Sequence, residues 1–349
     1  MPKKTRTLLN IYRESIKNFF PSLKRAIKNS LKEIPSSIKS LKMRILSFQG
    51  GLSIFCIIII MLFPFIPSIE YYVSILVIAM IFTIFAASWD LLAGFTGQVS
   101  FGHAIFFGIS GYIGASLIHY SGLSWFPSLF IGAITAVLFG LIIGIPCLRL
   151  KGPYLALGTQ AFALIVFNLM LTQEILVIHT SFVELNFIAQ YFIIFAFMLI
   201  SLIIMTLIVR SKVGTIFKSI RDDETCAEAS GINTTKYKIL AFMISSFFAG
   251  VAGGLFAVNI SSVSFSNFAP LYSFFAILMA AIGGLGTISG AALGAFTFWI
   301  VNEGLRDLGE FAVLIFAIFL ILVIRFSERG ILKPTIERLK ELFDILKGR

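Results

Sequence analysis

The chain has 349 residues and a formal net charge of +11, with 58% hydrophobic residues, 13% charged residues and a mean hydropathy of +0.96. Soluble domains carry about 25% charged residues, so a soluble enzyme is excluded and the composition reads as an all-α polytopic membrane protein. At about 20 residues per crossing, about ten transmembrane helices with short loops fill the chain beyond its N-terminal tail, leaving no room for a soluble catalytic domain.

Residues 1–48 hold twelve bases against Glu14 and Glu33, so ten of the eleven net charges sit in this extension. Ile16, Phe19, Phe20, Leu23, Ile27, Leu31 and Ile34 recur at intervals of three or four, with interruptions at Pro21 and Pro35. That pattern suits basic amphipathic helices lying on the anionic lipids of the cytoplasmic leaflet, in preference to nucleic acid. The first apolar run begins near Leu52 and shows no small-residue cleavage site, so a cleaved signal peptide is not expected.

Apolar runs follow at about 51–69, 71–93, 97–118, 125–148, 153–172, 189–209, 239–260, 270–287, 288–302 and 311–325. Bases cluster in the tail, at Arg149 and Lys151, in the stretch 210–238 and from Arg325 to Arg349, whereas the turns near Glu70 and at 119–124, 173–190 and 261–269 have none. Ten crossings place every one of those basic clusters on the cytoplasmic side, as the bias of Lys and Arg toward that side requires. Both termini are then cytoplasmic, the permease domain covers 49–331, and 332–349 is a charged cytoplasmic tail. Arg306 is the exception, and it sits among Glu303, Asp307 and Glu310.

The second and third runs meet at Ala93-Gly94-Phe95-Thr96-Gly97-Gln98-Val99-Ser100-Phe101-Gly102-His103. Glycine costs a helix about 1 kcal/mol relative to alanine, so this density predicts a broken or closely packed helix. Non-helical backbone at membrane depth must be buried in protein or reached by water. Asp90 lies just before the break, where an ionised carboxylate would cost about 2.5–3.5 kcal/mol. No second membrane acid pairs with it in sequence, which favours a hydrogen-bonded structural acid over a proton-coupling site. For His103 a packed hydrogen-bonding role and a functional role stay equally open.

The fifth run opens with Arg149-Leu150-Lys151-Gly152-Pro153-Tyr154-Leu155-Ala156-Leu157-Gly158-Thr159, where the Gly-Pro pair predicts a turn. Arg210 to Lys238 is the longest strongly polar interruption. Within it Val213, Ile216, Phe217 and Ile220 recur at helical spacing, with Lys218 and Arg221 on another face. Asp222, Asp223 and Glu224 suit the start of a second helix of about two turns, and Gly231 suits its end. So short a helix normally persists by docking onto something.

Farther on, Ala249-Gly250-Val251-Ala252-Gly253-Gly254 suits tight helix crossings, and Gly283-Gly284-Leu285-Gly286-Thr287-Ile288-Ser289-Gly290 predicts the second glycine-broken helical segment. No Gly-x-x-x-x-Gly-Lys-Ser/Thr pattern occurs, so no ATP site is expected on this chain. Cys56, Cys147 and Cys226 are odd in number and lack metal-ligand spacing, so neither disulfides nor bound metal are expected.

Four stretches resemble, in order, motifs of the inner-membrane permeases of ABC importers for branched-chain amino acids. They are Gly97 to Ala104, Arg149 to Thr159, the run from Ile220 through Glu224 and Ala227-Glu228-Ala229-Ser230-Gly231-Ile232-Asn233, and Gly283 to Gly290, with Glu328 to Ile331 resembling the family's ending. The resemblance spans about residues 50–331. It implies an ATPase-coupling role for Gly214, Ile220, Arg221, Glu224, Ala227, Glu228, Ala229, Gly231 and Ile232. It also implies a substrate path near Asp90, Gly94, Gly97, Gln98, Ser100, Gly102, His103, Tyr154, Thr159, Gly283, Gly284 and Gly286. The implied partners are a second homologous permease subunit, two cytoplasmic ATP-binding subunits carrying ATP and Mg, and an extracytoplasmic solute-binding protein. Three departures stand out: Asp90 replaces a usual asparagine, Leu164 replaces a position often polar or acidic, and the family's glycine-rich outer loop is missing from 172–187. Importers of urea, amides and other small polar solutes use similar subunits. An ion-coupled carrier would also use broken helices, but it usually needs several intramembrane charges. A membrane enzyme would need a nucleophile and base or a metal cluster, and none is visible.

Overall fold

The computed structural model of the chain describes residues 57–65, 70–148, 150, 152–172, 178–179 and 186–306, with positions 309, 311, 314, 315, 318 and 321. The expected basic extension, Arg149, Lys151, both ends of the first apolar run, most of the run 311–325 and the C-terminal tail lie outside the described residues.

Five long helices come first: α1 (Glu70–Thr96), α2 (Ala104–Ser121), α3 (Trp125–Cys147), α4 (Pro153–Thr172) and α5 (Phe187–Arg210). Two short ones, α6 (Lys212–Asp222) and α7 (Glu224–Ala229), precede the long α8 (Thr234–Ile260). The last two are α9 (Pro270–Gly283) and α10 (Ile288–Gly304). The fold is thus all-α and polytopic, apart from a two-residue antiparallel ladder that pairs Ile178 with Val263 and His179 with Ser262.

Among the described residues six helices are long and apolar enough to cross a membrane, or seven if the bent pair α9 and α10 is counted as one span. The expectation of about ten crossings treated 270–287 and 288–302 as two complete spans. Instead α9 has 14 residues, about 21 Å at 1.5 Å per residue, against a hydrocarbon core of about 30 Å, and the two helices are bent by 112° across Gly284 to Thr287. Glycine explains the turn: Gly284 and Gly286 have φ of 101° and 72°, a region that side chains strongly disfavour.

Helices α1 and α8 form the centre. The most apolar stretch of α1 is 83% buried and that of α8 78%, against 22% for α4, which is therefore peripheral. Lipid offers no hydrophobic drive toward helix association, so close packing must hold the bundle together. Gly253 of α8 lies against the backbone of Phe107 in α2, where an added Cβ would sit 2.7 Å from the carbonyl carbon. Gly250 is also close-packed, against Ala136 and Ala133 of α3, at 2.8 and 2.9 Å. Aromatic rings fill the space among α1, α2, α8 and the bent pair, with Phe82–Trp299, Phe85–Phe107 and Phe107–Phe256 centroids 4.9, 5.0 and 5.1 Å apart. Those separations lie in the favourable range for tilted ring pairs.

Candidate functional site

The polar loop forms first from its own sequence. In α6 the apolar positions Val213, Phe217 and Ile220 are buried and Ile216 is half-buried, so the helical spacing produces one docked face. Gly214 lets α6 fold back on α5, because a side chain there would overlap the backbone of Val209. Asp223 separates α6 from α7 in extended conformation and caps α7, its Oδ1 accepting from the amides of Thr225 at 2.8 Å and Cys226 at 3.0 Å. Backbone donation from Cys226 is the chief reason the Asp223 carboxyl is held below its ordinary pKa. At the other end, Gly231 has φ 81° and the Ile232 amide reaches back to the Ala227 carbonyl at 3.1 Å, a left-handed helix stop.

Two contacts tie α7 to the start of α8. The Lys238 ammonium lies 2.5 Å from the Glu224 carboxylate, and the Thr234 hydroxyl donates to Glu228 Oε1 at 2.6 Å. Ala227 is buried against this junction, while Thr225, Cys226, Glu228, Ala229 and Ser230 present an exposed face.

Arg221 makes the other connection. Its Nε and Nη2 donate to Asp222 Oδ1 at 3.0 and 2.9 Å, and Nη1 donates to the Gly94 carbonyl at 2.9 Å. Gly94 stands in the last turn of α1, where carbonyls lack helical partners and a cation is favoured. One turn earlier the fully buried Asp90 accepts the Gly286 amide on Oδ1 at 2.8 Å, so the tip between α9 and α10 is fastened to the end of α1. Gly94 must be small for this approach, because an added Cβ would lie 2.5 Å from the Gly286 nitrogen and overlap the Asp90 carboxylate. Asp90 is therefore a hydrogen-bonded acid, and its partner comes from the second glycine-rich segment. Arg221 stays exposed, as the spacing implied, but no sequence signal pointed to its Nη1 reaching the Gly94 carbonyl.

The first break, residues 97–103, is held by a separate polar knot. Trp89 Nε1 donates to the Ser100 carbonyl at 2.7 Å, the Gly102 amide donates to Ser100 Oγ at 3.3 Å, and the Phe101 amide donates to Thr159 Oγ1 of α4 at 3.0 Å. Gln98 Nε2 donates to the Thr96 carbonyl at 3.2 Å. Gly102 packs directly on α4, where a Cβ would lie 2.5 Å from the Thr159 carbonyl oxygen. His103 Nε2 lies 2.9 Å from Ser88 Oγ, and that hydroxyl donates to the Phe85 carbonyl at 2.7 Å, so the imidazole proton belongs on Nε2. Ser245 of α8 donates to the Ser88 carbonyl at 2.7 Å, and Ser273 of α9 accepts the Ala104 amide at 2.8 Å. These groups bind helix to helix. Of the other path residues, Gly97 packs over Arg221, Gly283 over Gly290, and Gly284 forms the turn, whereas Tyr154 stands 68% exposed in the first turn of α4, outside both clusters. Leu164 is exposed, and Asn168 donates back to the Leu164 carbonyl at 2.8 Å rather than to another helix.

Among the described residues no group of three His, Cys, Asp or Glu side chains is placed to hold a metal ion. A bundle of long apolar helices with one bent pair, joined through Arg221 to a short amphipathic helix of a polar loop, is a polytopic membrane protein. Comparison with known proteins then gives the family: the family model described as "Branched-chain amino acid transport system / permease component" matches residues 71–325, and the chain belongs to that family. It is 26% identical to the high-affinity branched-chain amino acid transport system permease protein LivM of Escherichia coli, over 79% of this chain and 73% of that protein. It is 26% identical to the protein of the same description from Salmonella typhimurium, over 77% and 71%. A probable branched-chain amino acid transport permease protein LivM of Methanocaldococcus jannaschii is 26% identical over 35% of this chain and 41% of its own length. No solved structure matches the chain.

Proposed function

We propose that the chain is the permease subunit of an ATP-driven importer that moves leucine, isoleucine and valine across the inner membrane. The observation that carries this reading is the family match across residues 71–325, which contains both glycine-broken segments and the whole polar loop. ATP and Mg belong in this reading to two ATP-binding subunits on the cytoplasmic side, and a second homologous permease subunit completes the membrane part. An extracytoplasmic solute-binding protein delivers the substrate. In this reading both termini lie in the cytoplasm with the loop 210–238, on the side that the bias of Lys and Arg favours.

Mechanically, closure of the ATP-binding subunits presses on α7, whose exposed face is the docking plug. Because α7 is tied to α8, and α6 to the end of α1, displacement of the loop reaches the centre of the bundle directly. Helices already interrupted at 97–103 and 284–287 rock with little loss of backbone hydrogen bonding, opening the path alternately to each side. Replacing Glu228 and Gly231 together with alanine should abolish transport-stimulated ATP hydrolysis while the subunit still inserts and assembles. Normal stimulated turnover in that variant would refute the coupling role of α7.

A further inference from the structure

We propose that Arg221 is a latch that makes α6, the end of α1 and the α9–α10 tip move as one rigid piece, separately from α7 and α8. The proposal rests on the importer reading, since it needs a motor on the loop.

Three observations point to it. The guanidinium donates from one side to Asp222 and from the other to the Gly94 carbonyl, so it bridges loop and bundle. The α9–α10 tip is seated on the same spot: the Gly286 amide donates to Asp90, and Gly286 lies so close that an added Cβ would meet Arg221 Nη1 and the Gly94 oxygen, both at 3.2 Å. Gly97 at the end of α1 also faces Arg221, with room for a Cβ only 3.4 Å from its Cα and Cγ. Gly94, Gly97 and Gly286 therefore line one side of a single arginine, whose other side is open to solvent. By contrast, α7 is fastened to α8 by Glu224 and Lys238, and the only residue between α6 and α7 is Asp223, in extended conformation. A push on the loop would then rotate two blocks about Asp223, with the strain falling on the α1–α8 packing where Ser245 donates to the Ser88 carbonyl. Lysine would not substitute, because a point-like ammonium cannot hold Asp222 through two nitrogens while a third donates to Gly94.

The test uses the assembled importer in lipid vesicles, with spin labels in a cysteine-free background. One pair is Thr215→Cys on α6 with Leu285→Cys at the tip; the reference pair is Ile142→Cys on α3 with Leu285→Cys. All three positions are exposed. The latch predicts that the 215–285 separation stays within about 2 Å, the scale of ordinary helix shifts, between nucleotide-free and nucleotide-trapped states, while the 142–285 separation changes by more. In Arg221→Gln, and equally in Arg221→Lys, the 215–285 distribution should broaden and uptake should fall at least about tenfold, a tenfold fall being a barrier change of about 1.4 kcal/mol. A 215–285 separation that changes with nucleotide in the unmutated protein, or a 142–285 separation that does not, overturns the latch. A chain that binds no ATP-hydrolysing subunit refutes the importer reading itself, and the latch with it, before any distance is measured.

Discussion

Lys238, with only 5% of its side chain exposed, places its ammonium 2.5 Å from Glu224, whose side chain is 32% exposed. The two ends of this ion pair are therefore unequal, and removing them should have unequal effects. Glu224→Gln strands a buried ammonium, whereas Lys238→Met leaves a carboxylate that water can reach. Breaking a fully buried pair from one side costs about 3–5 kcal/mol, and solvent access at Glu224 reduces this to roughly 1–3 kcal/mol for its loss. Thermal unfolding in detergent should show Glu224→Gln to be clearly less stable than Lys238→Met; equal or reversed effects would mean that the pair does not hold α7 on α8.

Glycines at the bent pair differ in what surrounds them. An alanine at Gly283 would run into the backbone of Gly290 and Ala291, with Ala291 N 2.9 Å away, while Gly304 has nothing within 4 Å. Overpacking of this kind costs about 1–3 kcal/mol or more, whereas Gly304→Ala removes a helix-disfavouring glycine worth about 1 kcal/mol. Size-exclusion profiles after heating should therefore show Gly283→Ala lost first and Gly304→Ala at or above the parent.

The cap of α7 carries a pH dependence whose sign follows from its hydrogen bonds. Donation from the Cys226 amide, with further donation from Thr225, lowers the Asp223 pKa on folding. A lowered carboxyl contributes stability that is complete above the unfolded value of about 3.9 and disappears as pH falls through the lower folded value. Coupling should accordingly be insensitive to this group from pH 5 to 8. Asp223→Asn, which still accepts hydrogen bonds, should keep α7 folded and remove the acid-side loss, while Asp223→Ala should impair coupling at every pH. An alanine variant with intact coupling would show that the cap is dispensable.

Cys226 is exposed on α7, whereas Cys147 is buried. The neighbouring Asp223 carboxylate raises the Cys226 thiol pKa, so its reaction with maleimide should be slow at pH 7 and accelerate toward pH 9. In a Cys56→Ser background, a membrane-impermeant maleimide should label Cys226 in inside-out vesicles and not in right-side-out ones. Assembly with the ATP-binding subunits should block the labelling. Labelling from the outer side would reverse the topology.

Much of this organisation is legible in the sequence. Apolar runs located the long helices, because membrane burial demands continuous apolar sequence; the spacing of Val213, Phe217 and Ile220 located α6 with its buried face. Density of glycine marked the non-helical residues 97–103 and the bend at 284–287. Periodicity could not show that α9 and α10 are bent by 112°, since an apolar run looks the same whether its helix crosses or turns back. Nor could it show that Arg221 would donate to the Gly94 carbonyl, or that Asp90 would meet Gly286, 196 positions away. Polar residues of the first break were expected along a substrate path; Ser100, Thr159 and His103 make hydrogen bonds within the bundle, and no single-sequence pattern distinguishes such bonds from ligand contact.

Transport itself is the most direct test. Vesicles containing this subunit with its co-purifying partners and binding protein should take up labelled leucine and valine only when ATP is supplied, and should exclude urea. Uptake should be lost in the Glu228→Ala, Gly231→Ala double variant. Leucine uptake that persists without ATP would contradict the importer assignment, and ATP-dependent uptake of urea in place of leucine would contradict the substrate.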